Sequence, residues 1–317
     1  MTPTHPSLAA AITKAASKQT YYMIRFLVDR PRREDAYRAY AYFRWVDDVL
    51  DAEVASGPAS DDAGRVERRR FLDRQKALLD QCLRGEAPRN VGRHEAMLAE
   101  LVRHFDGPDR GLGAYLRQMM AVMEFDLGRR GRLVSEAELT EYTRSLAIAV
   151  TEAMRHFIGN ETAAPRDETR YLAAAGAHIL HMLRDTYADL RAGYVNIPRE
   201  VLAAHSIGPE DVHSDAYRAW VQRRVRLARA YLDAGGAYYT RVRDPRHRLA
   251  GLAYIARFEW LIDTLEREDF HLRPRYDERQ SVKTALRMTW RLASWMTGRS
   301  GSGTSPRPIA SPPDSRA

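Results

Sequence analysis

The feature that most constrains this chain is a helical repeat of apolar residues that runs through most of its 317 residues. Apolar side chains recur at intervals of about three to four positions, which places them on one face of a helix. The apolar–polar alternation of half-buried strands is not evident. Between residues 13 and 297, Gly and Pro are few, and Ala, Arg, Leu and Glu dominate. The sequence therefore predicts an all-α protein.

Caps and turn residues mark the expected ends of the helices. Helices are expected at 7–29, 34–53, 65–84, 92–106, 110–128, 136–158, 167–191, 199–205, 209–234, 246–267 and 278–296. Residues 54–64 are predicted to form a loop. Ser135 and Glu138 match a capping box, and Gly193 is expected to cap the helix that carries Asp185.

Composition limits the class of protein. We expect one domain over residues 1–297 and a disordered tail, rich in Gly, Ser and Pro, over residues 298–317. The single cysteine, Cys82, excludes an internal disulfide and a cysteine-based metal site. With neither a long apolar span nor a secretory leader, a cytoplasmic location is expected. The net charge of +8 would allow peripheral contact with a membrane, and scattered arginines argue against a nucleic-acid partner. The oligomeric state is left open.

Two Asp-x-x-x-Asp pairs carry the chemistry that the sequence suggests. They are Asp47 with Asp51, and Asp185 with Asp189. Residues four apart share one face of a helix, so each pair directs two carboxylates the same way. Carboxylate oxygens suit Mg²⁺, and two or three such ions could hold a diphosphate. The alternative is a pair of solvated acidic faces with arginine partners.

Basic and aromatic neighbours extend this hypothesis. Arg44 lies one turn before Asp47 and Arg184 adjoins Asp185, so either guanidinium could donate to phosphate oxygens. Ionising an allylic diphosphate leaves a carbocation, which needs a dry, aromatic pocket. Aromatic residues at helical spacing could line that pocket or belong to an ordinary core, namely Tyr22, Phe26, Tyr40, Phe43, Tyr254 and Phe258.

These segments resemble the squalene/phytoene synthase family of head-to-head prenyl transferases. SKQTYYMIRFL is similar to the family's opening helix, with Ser17 and Lys18 at its usual Ser-Lys. AYFRWVDDVLD, with Tyr40 directly before it, resembles the first Asp-rich motif, which also includes Asp48, and LRDTYADLRAGYVNIP resembles the second. RPRYDERQSVK loosely resembles the basic C-terminal end. The likeness covers residues 13–296.

The resemblance implies an isoprenoid synthase fold, a helical bundle around a central cavity. It implies a transferase that ionises a C15 or C20 prenyl diphosphate with Mg²⁺, couples it to a second one and releases diphosphate; a role for NADPH is left open. The implied metal ligands are Asp47, Asp48, Asp51, Asp185 and Asp189. The implied substrate contacts are Lys18, Arg44, Tyr142, Arg184, Tyr254 and Arg275.

The chain also departs from the family pattern. His178 and His181 stand where the family has Gln and Asn, and Ile148 and Thr151 stand where glycines are expected. The histidines could bind phosphate or metal, act as a general base, or belong to the core. The larger side chains would narrow a prenyl channel. A single-substrate cyclase, transfer to a different acceptor, or a non-catalytic isoprenoid-binding homologue therefore stays open.

Overall fold

The computed structural model describes residues 7–52, 58–103, 110–159 and 164–277. In these residues the chain forms α-helices and two short 3₁₀ helices but no strand, which confirms the all-α prediction. The α-helices are α1 (Leu8–Ala16), α2 (Lys18–Leu27), α3 (Arg33–Asp51), α4 (Pro58–Leu83), α5 (Arg93–Arg103), α6 (Arg110–Arg129), α7 (Glu136–Phe157), α8 (Leu172–Arg191), α9 (Arg199–His205), α10 (Asp215–Arg241) and α11 (Pro245–Arg267). The 3₁₀ helices are Arg30–Arg32 and Glu168–Tyr171. Of the helices in these ranges, none is long and apolar enough to cross a membrane.

The chain divides into two compact units. Unit one comprises Met1–Arg130 and Ile148–Glu161, and unit two comprises Gly131–Ala147 and Thr162–Ala317. Helix α7 therefore contributes residues to both. The expectation of one domain over residues 1–297 stays a prediction. The expected helix at 278–296 and the expected tail lie outside the described residues.

Helix α3 forms the core of unit one, where it packs against α1, α5 and α6. The side chains of Tyr42 and Val46 are fully buried. The Tyr42 hydroxyl donates to the Gln75 side chain of α4 at 3.0 Å. The Trp45 ring stacks on His94 of α5 with centroids 4.9 Å apart. These contacts fix α3 along its length and thereby fix the acidic residues at its end.

Helix α8 forms the core of unit two and packs against α10 and α11. Small residues bring α8 and α10 close together. A Cβ atom on Gly176 would lie 2.9 Å from the Ala228 carbonyl oxygen, and one on Gly235 would lie 2.6 Å from the Ala173 Cβ. Only glycine fits at such an approach of two helices. This tight packing lies in the first turns of α8, and the second acidic pair lies near the other end of the same helix.

Two helix boundaries differ from the sequence-based expectation. The single helix expected at 7–29 is interrupted at Ser17, whose backbone is extended (φ −149°, ψ 98°) and whose hydroxyl accepts from the Thr20 amide at 3.2 Å. A serine N-cap thus starts α2 as a separate helix. Helix α4 begins at Pro58, inside the loop expected at 54–64. Proline is favoured in the first helical turn because it needs no amide partner there.

Two further helices begin differently from the expectation. The segment expected to be helical from residue 167 starts as a 3₁₀ helix and becomes α-helical at Leu172. Helix α10 begins after the Ser214 cap instead of at residue 209, and it continues to Arg241 instead of ending at 234. It runs through Gly235 because that glycine makes the close approach to α8.

Two predicted caps are confirmed. The Glu138 amide donates to the Ser135 hydroxyl at 3.1 Å, and the Ser135 amide donates to the Glu138 carboxylate at 2.8 Å, which completes the capping box. Gly193 follows α8 with a φ of +84°. The Tyr194 amide donates back to the Asp189 carbonyl at 2.8 Å, as in a Schellman motif.

Candidate functional site

The first acidic pair lies at the carboxyl end of α3 in unit one. Asp47 is half-buried, and Asp51, the last residue of the helix, is exposed. The Arg44 guanidinium donates to the Asp47 carboxylate at 3.2 Å and also to that of Asp48. The arginine one turn before the pair therefore holds carboxylates of its own motif.

Negative charge accumulates around Asp47. Burial and the neighbouring Asp51 carboxylate raise the pKa of Asp47 to about 6. Arg44 opposes the shift, whereas Asp126 and Asp48 add to it. Because clustered carboxylates repel one another, they would stabilise a cation placed among them.

Asp126 is a member of this cluster that the sequence did not indicate. It lies near the end of α6, where its carboxylate accepts from Arg129 at 2.7 Å. Helix α6 also meets α3 through the rings of Phe43 and Tyr115, whose centroids are 5.5 Å apart. No sequence spacing relates Asp126 to a pair on another helix, so only the fold could reveal it.

The second acidic pair lies near the carboxyl end of α8 in unit two. Arg184 forms a two-point contact with its neighbour Asp185, with nitrogen–oxygen distances of 2.7 and 2.6 Å. Such paired contacts are strong and geometrically specific. Both acidic motifs therefore have an arginine partner of their own. The alternative to a metal site, a solvated acidic helix face with arginine partners, predicts the same contacts.

Asp189 has a different partner. The side-chain amide of Asn196 donates to the Asp189 Oδ2 atom at 2.6 Å. The Tyr217 ring is fully buried nearby; burial, and to a lesser degree the charge of Asp189, raises the pKa of its phenol. Neither Asn196 nor Tyr217 was a predicted site residue, because Asn196 reaches Asp189 from the return of the chain after α8 and Tyr217 belongs to α10.

The two histidines of α8 contact aromatic rings. His178 is buried and meets the Tyr142 ring of α7 edge-on, with centroids 4.7 Å apart. His181 is half-buried and meets the Phe258 ring of α11 in the same way at 4.7 Å. Tyr254 also contacts Phe258, at 5.5 Å, and burial raises the pKa of the Tyr254 phenol to about 12. Unit two thus brings five of the predicted residues together in two groups on α8, His178 with Tyr142 and His181 with Phe258 and Tyr254; together they are called the cluster around α8.

The remaining predicted residues have varied environments. Lys18 is exposed at the first position of α2, and Arg275 is exposed after α11. Tyr40 is half-buried on α3, within electrostatic reach of Arg44. Tyr22 and Phe26, proposed as pocket-lining residues, are 49% and 70% exposed and stack on each other.

The described part of the chain contains no group of three or more His, Cys, Asp or Glu side chains arranged to hold a metal ion. Two features nevertheless fit Mg²⁺. The donors are carboxylate oxygens, which this hard cation prefers. The carboxylates of Asp51 and Asp126 also add negative charge around Asp47, which Arg44 opposes.

A cavity of about 700 Å³ lies beside α9 in unit two. It is lined by Leu133, Arg199, Glu200, Leu202, Ala203, Ser206, Ile207 and Pro209. None of these is a predicted site residue.

The all-α fold and the two arginine-flanked aspartate motifs agree with the expected class of enzyme, one that transfers prenyl groups. Residues 13–287 match the squalene/phytoene synthase family, and the chain belongs to this family. The prediction of a prenyl transferase is thereby confirmed.

Curated relatives agree with this assignment. The chain is 28% identical over 246 residues to a phytoene synthase of Thermus thermophilus, a match that covers 75% of this chain and 77% of that one. It is 25% identical over 202 residues to a presqualene diphosphate synthase of Rhodopseudomonas palustris, covering 63% and 64%.

Solved structures show the same fold. A squalene synthase from Alicyclobacillus acidocaldarius aligns with a TM-score of 0.63 at 18% identity, covering 84% of this chain and 94% of that one. A dehydrosqualene synthase aligns with a TM-score of 0.62 at 13% identity, covering 92% and 95%. The isoprenoid synthase fold is therefore confirmed.

Proposed function

We propose that this enzyme ionises an allylic prenyl diphosphate of C15 or C20 with the help of Mg²⁺, couples it to a second prenyl diphosphate and releases diphosphate. The observation that carries the proposal is the pair of acidic motifs at the ends of α3 and α8, in a member of a family that includes phytoene and presqualene diphosphate synthases.

The carboxylates of Asp47, Asp51, Asp185 and Asp189 are the proposed ligands, with Asp48 beside them. Bound Mg²⁺ would neutralise the charge that develops on the leaving diphosphate. The protein's own contribution is to present two of these carboxylates near the end of α3 and two near the end of α8.

Arg44 and Arg184 would change partners when substrate binds. Each now holds a carboxylate of its own motif. Once those carboxylates turn to a cation, the guanidiniums become free to donate to phosphate oxygens. Lys18 and Arg275 are exposed and would add positive charge toward the same anion.

The cluster around α8 would receive the carbocation. The rings of Phe258, Tyr254 and Tyr142 offer the faces that stabilise such a cation. His178 and His181, each in contact with one of these rings, would accept the proton that ends the reaction. Tyr40 is a further aromatic candidate, on α3 of unit one.

A second function, cyclisation of one substrate or transfer to a different acceptor, is favoured by one observation. Thr151 is 1% exposed and Ile148 is half-buried on α7, where the family expects glycines. Side chains there reduce the space for a second prenyl chain. Non-catalytic isoprenoid binding is a weaker candidate, because a binding protein has little need for grouped carboxylates.

The decisive experiment incubates the enzyme with Mg²⁺ and either farnesyl or geranylgeranyl diphosphate and measures the product mass. Coupling doubles the carbon count of the substrate, whereas cyclisation preserves it. Asp51→Asn combined with Asp189→Asn should abolish turnover by removing one ligand from each pair. Asp80→Asn, an exposed change on α4, serves as the control and should retain activity. Release of no diphosphate from either substrate would refute the proposal.

The histidines need a separate arm of this experiment. His181→Asn, which restores the residue usual in the family, should change the rate or the product distribution because it removes a proton acceptor. His205→Asn, at the exposed end of α9, is the matched control. An unchanged rate and product profile would mean that His181 only packs in the core.

A further inference from the structure

The turn after α8 brings the chain back beneath the second acidic pair. Gly193 adopts a φ of +84°, which reverses the chain direction at the end of the helix. The Tyr194 amide donates to the Asp189 carbonyl at 2.8 Å. Residues 194–198 then run to the start of α9, and Asn196 lies in the middle of this return segment.

The return segment is fixed within unit two by its own backbone. The Gly131 amide donates to the Gly193 carbonyl at 2.8 Å, and the Arg199 amide donates to the Val134 carbonyl at 2.8 Å. Ile197, which lies between Gly193 and Arg199 in the sequence, is fully buried. The position of Asn196 is therefore set by bonds that do not involve its side chain.

The Asn196 side chain is 3% exposed and donates to two atoms of α8. Its amide nitrogen lies 2.6 Å from the Asp189 Oδ2 atom and 3.4 Å from the Met182 carbonyl oxygen. Both of these atoms are acceptors, so the donor end of the amide must face the helix. The short contact to a carboxylate is charge-assisted and stronger than a neutral hydrogen bond.

We propose that Asn196 is a positioning residue that fixes the Asp189 carboxylate for Mg²⁺ and the diphosphate, an inference that rests on the proposed function. By holding Oδ2, the amide sets the plane of the carboxylate and thereby the direction of Oδ1. A neutral donor does this without cancelling the negative charge that attracts the cation. Arg184 acts differently on Asp185, where a guanidinium contacts both oxygens.

The hydrogen-bonding partners of metal-binding carboxylates orient their ligands, and loss of such a partner lowers metal affinity by about 10- to 100-fold. Asn196→Leu removes the donor at similar volume, and Asn196→Ala removes it while both backbone bonds of the return segment remain. We expect each variant to weaken binding of Mg²⁺ with inorganic diphosphate by about 10-fold or more. Turnover should recover largely at saturating Mg²⁺, because Asp189 itself is unchanged.

Isothermal titration of Mg²⁺ in the presence of inorganic diphosphate measures this affinity without turnover. The control is Thr186→Val, which removes the buried hydroxyl that donates to the Met182 and Leu183 carbonyls. It should lower the melting temperature and leave the affinity unchanged.

Two different failures can be distinguished. If the wild-type protein binds no Mg²⁺–diphosphate, the proposed function itself fails. If the wild type binds and both Asn196 variants bind equally well, the positioning role is overturned and Asn196 only stabilises the fold. A lower melting temperature with unchanged Mg²⁺ affinity has the same meaning.

Discussion

At the scale of single residues, Glu95 shows how unit one compensates a buried charge. Its carboxylate is 5% exposed and accepts from the Arg74 guanidinium at 2.8 and 3.0 Å. It also accepts from the Gln75 amide at 3.0 Å and the Gly92 backbone amide at 2.8 Å. These bonds favour the ionised form and lower the pKa of Glu95 to about 2.

The lowered pKa makes the stability of unit one depend on pH in a defined direction. The ionised Glu95 stabilises the fold fully above its ordinary pKa of 4.5, and this contribution is lost as the pH falls toward 2. Glu95→Gln should therefore reduce the free energy of unfolding by about 1 to 3 kcal/mol near neutral pH. Urea unfolding at a series of pH values should show this difference shrink below the ordinary pKa.

The matched control is Glu86→Gln, which alters an exposed carboxylate paired with Arg84. Exposed ion pairs contribute little, so this change should leave the free energy of unfolding nearly unaltered at every pH. A Glu95→Gln effect that is equally large in acid and at neutral pH would contradict the assignment of the charge as the stabilising feature.

Residue spacing predicted some of the candidate site and missed the rest for a physical reason. Asp47 with Asp51 and Asp185 with Asp189 could be found because partners four apart on one helix share a face. Asp126 and Asn196 could not be found in this way. Asp126 acts on Asp47, and Asn196 on Asp189, from another segment of the chain. Sequence patterns report neighbours along a helix, whereas such contacts depend on packing.

At the scale of helices, the crossing of α8 and α10 depends on the absence of a side chain at Gly235. A Cβ there would lie 2.7 Å from the Ala173 backbone nitrogen and 2.8 Å from its Cα atom. Because backbone atoms cannot rotate away, Gly235→Ala should separate the helices and cost about 1 to 3 kcal/mol. Thermal unfolding measures the loss.

Gly128→Ala on α6 provides the control. A Cβ at Gly128 would meet nothing within 4 Å. Alanine also favours helix over glycine by about 1 kcal/mol, so this variant should be as stable as the wild type or slightly more stable. Equal melting temperatures for the two variants would mean that α8 and α10 tolerate a wider spacing.

The same glycine explains an error in helix prediction. Periodicity located the helices, but the end expected at residue 234 is wrong, because the helix runs on through Gly235 and Gly236. The structure continues to Arg241, since the close approach to Ala173 stabilises the glycine within the helix. At Ser17 the error was the opposite, because one helix was expected and two are present. The apolar periodicity continues across Ser17, although this serine caps α2.

At the scale of the whole molecule, the net charge of +8 bears on the expected peripheral contact with membranes. Each Lys or Arg near an anionic bilayer contributes about 1 kcal/mol, and salt screens the attraction. The protein should therefore sediment with vesicles that contain phosphatidylglycerol and be released by about 0.5 M NaCl.

A double variant tests this dependence on charge. It changes two exposed residues of α10, Arg223→Glu and Arg226→Glu, and lowers the net charge from +8 to +4, because each change removes two positive units. This variant should bind about 10-fold more weakly or worse. Equal sedimentation with pure phosphatidylcholine vesicles, or binding that survives salt, would show that charge does not drive the contact.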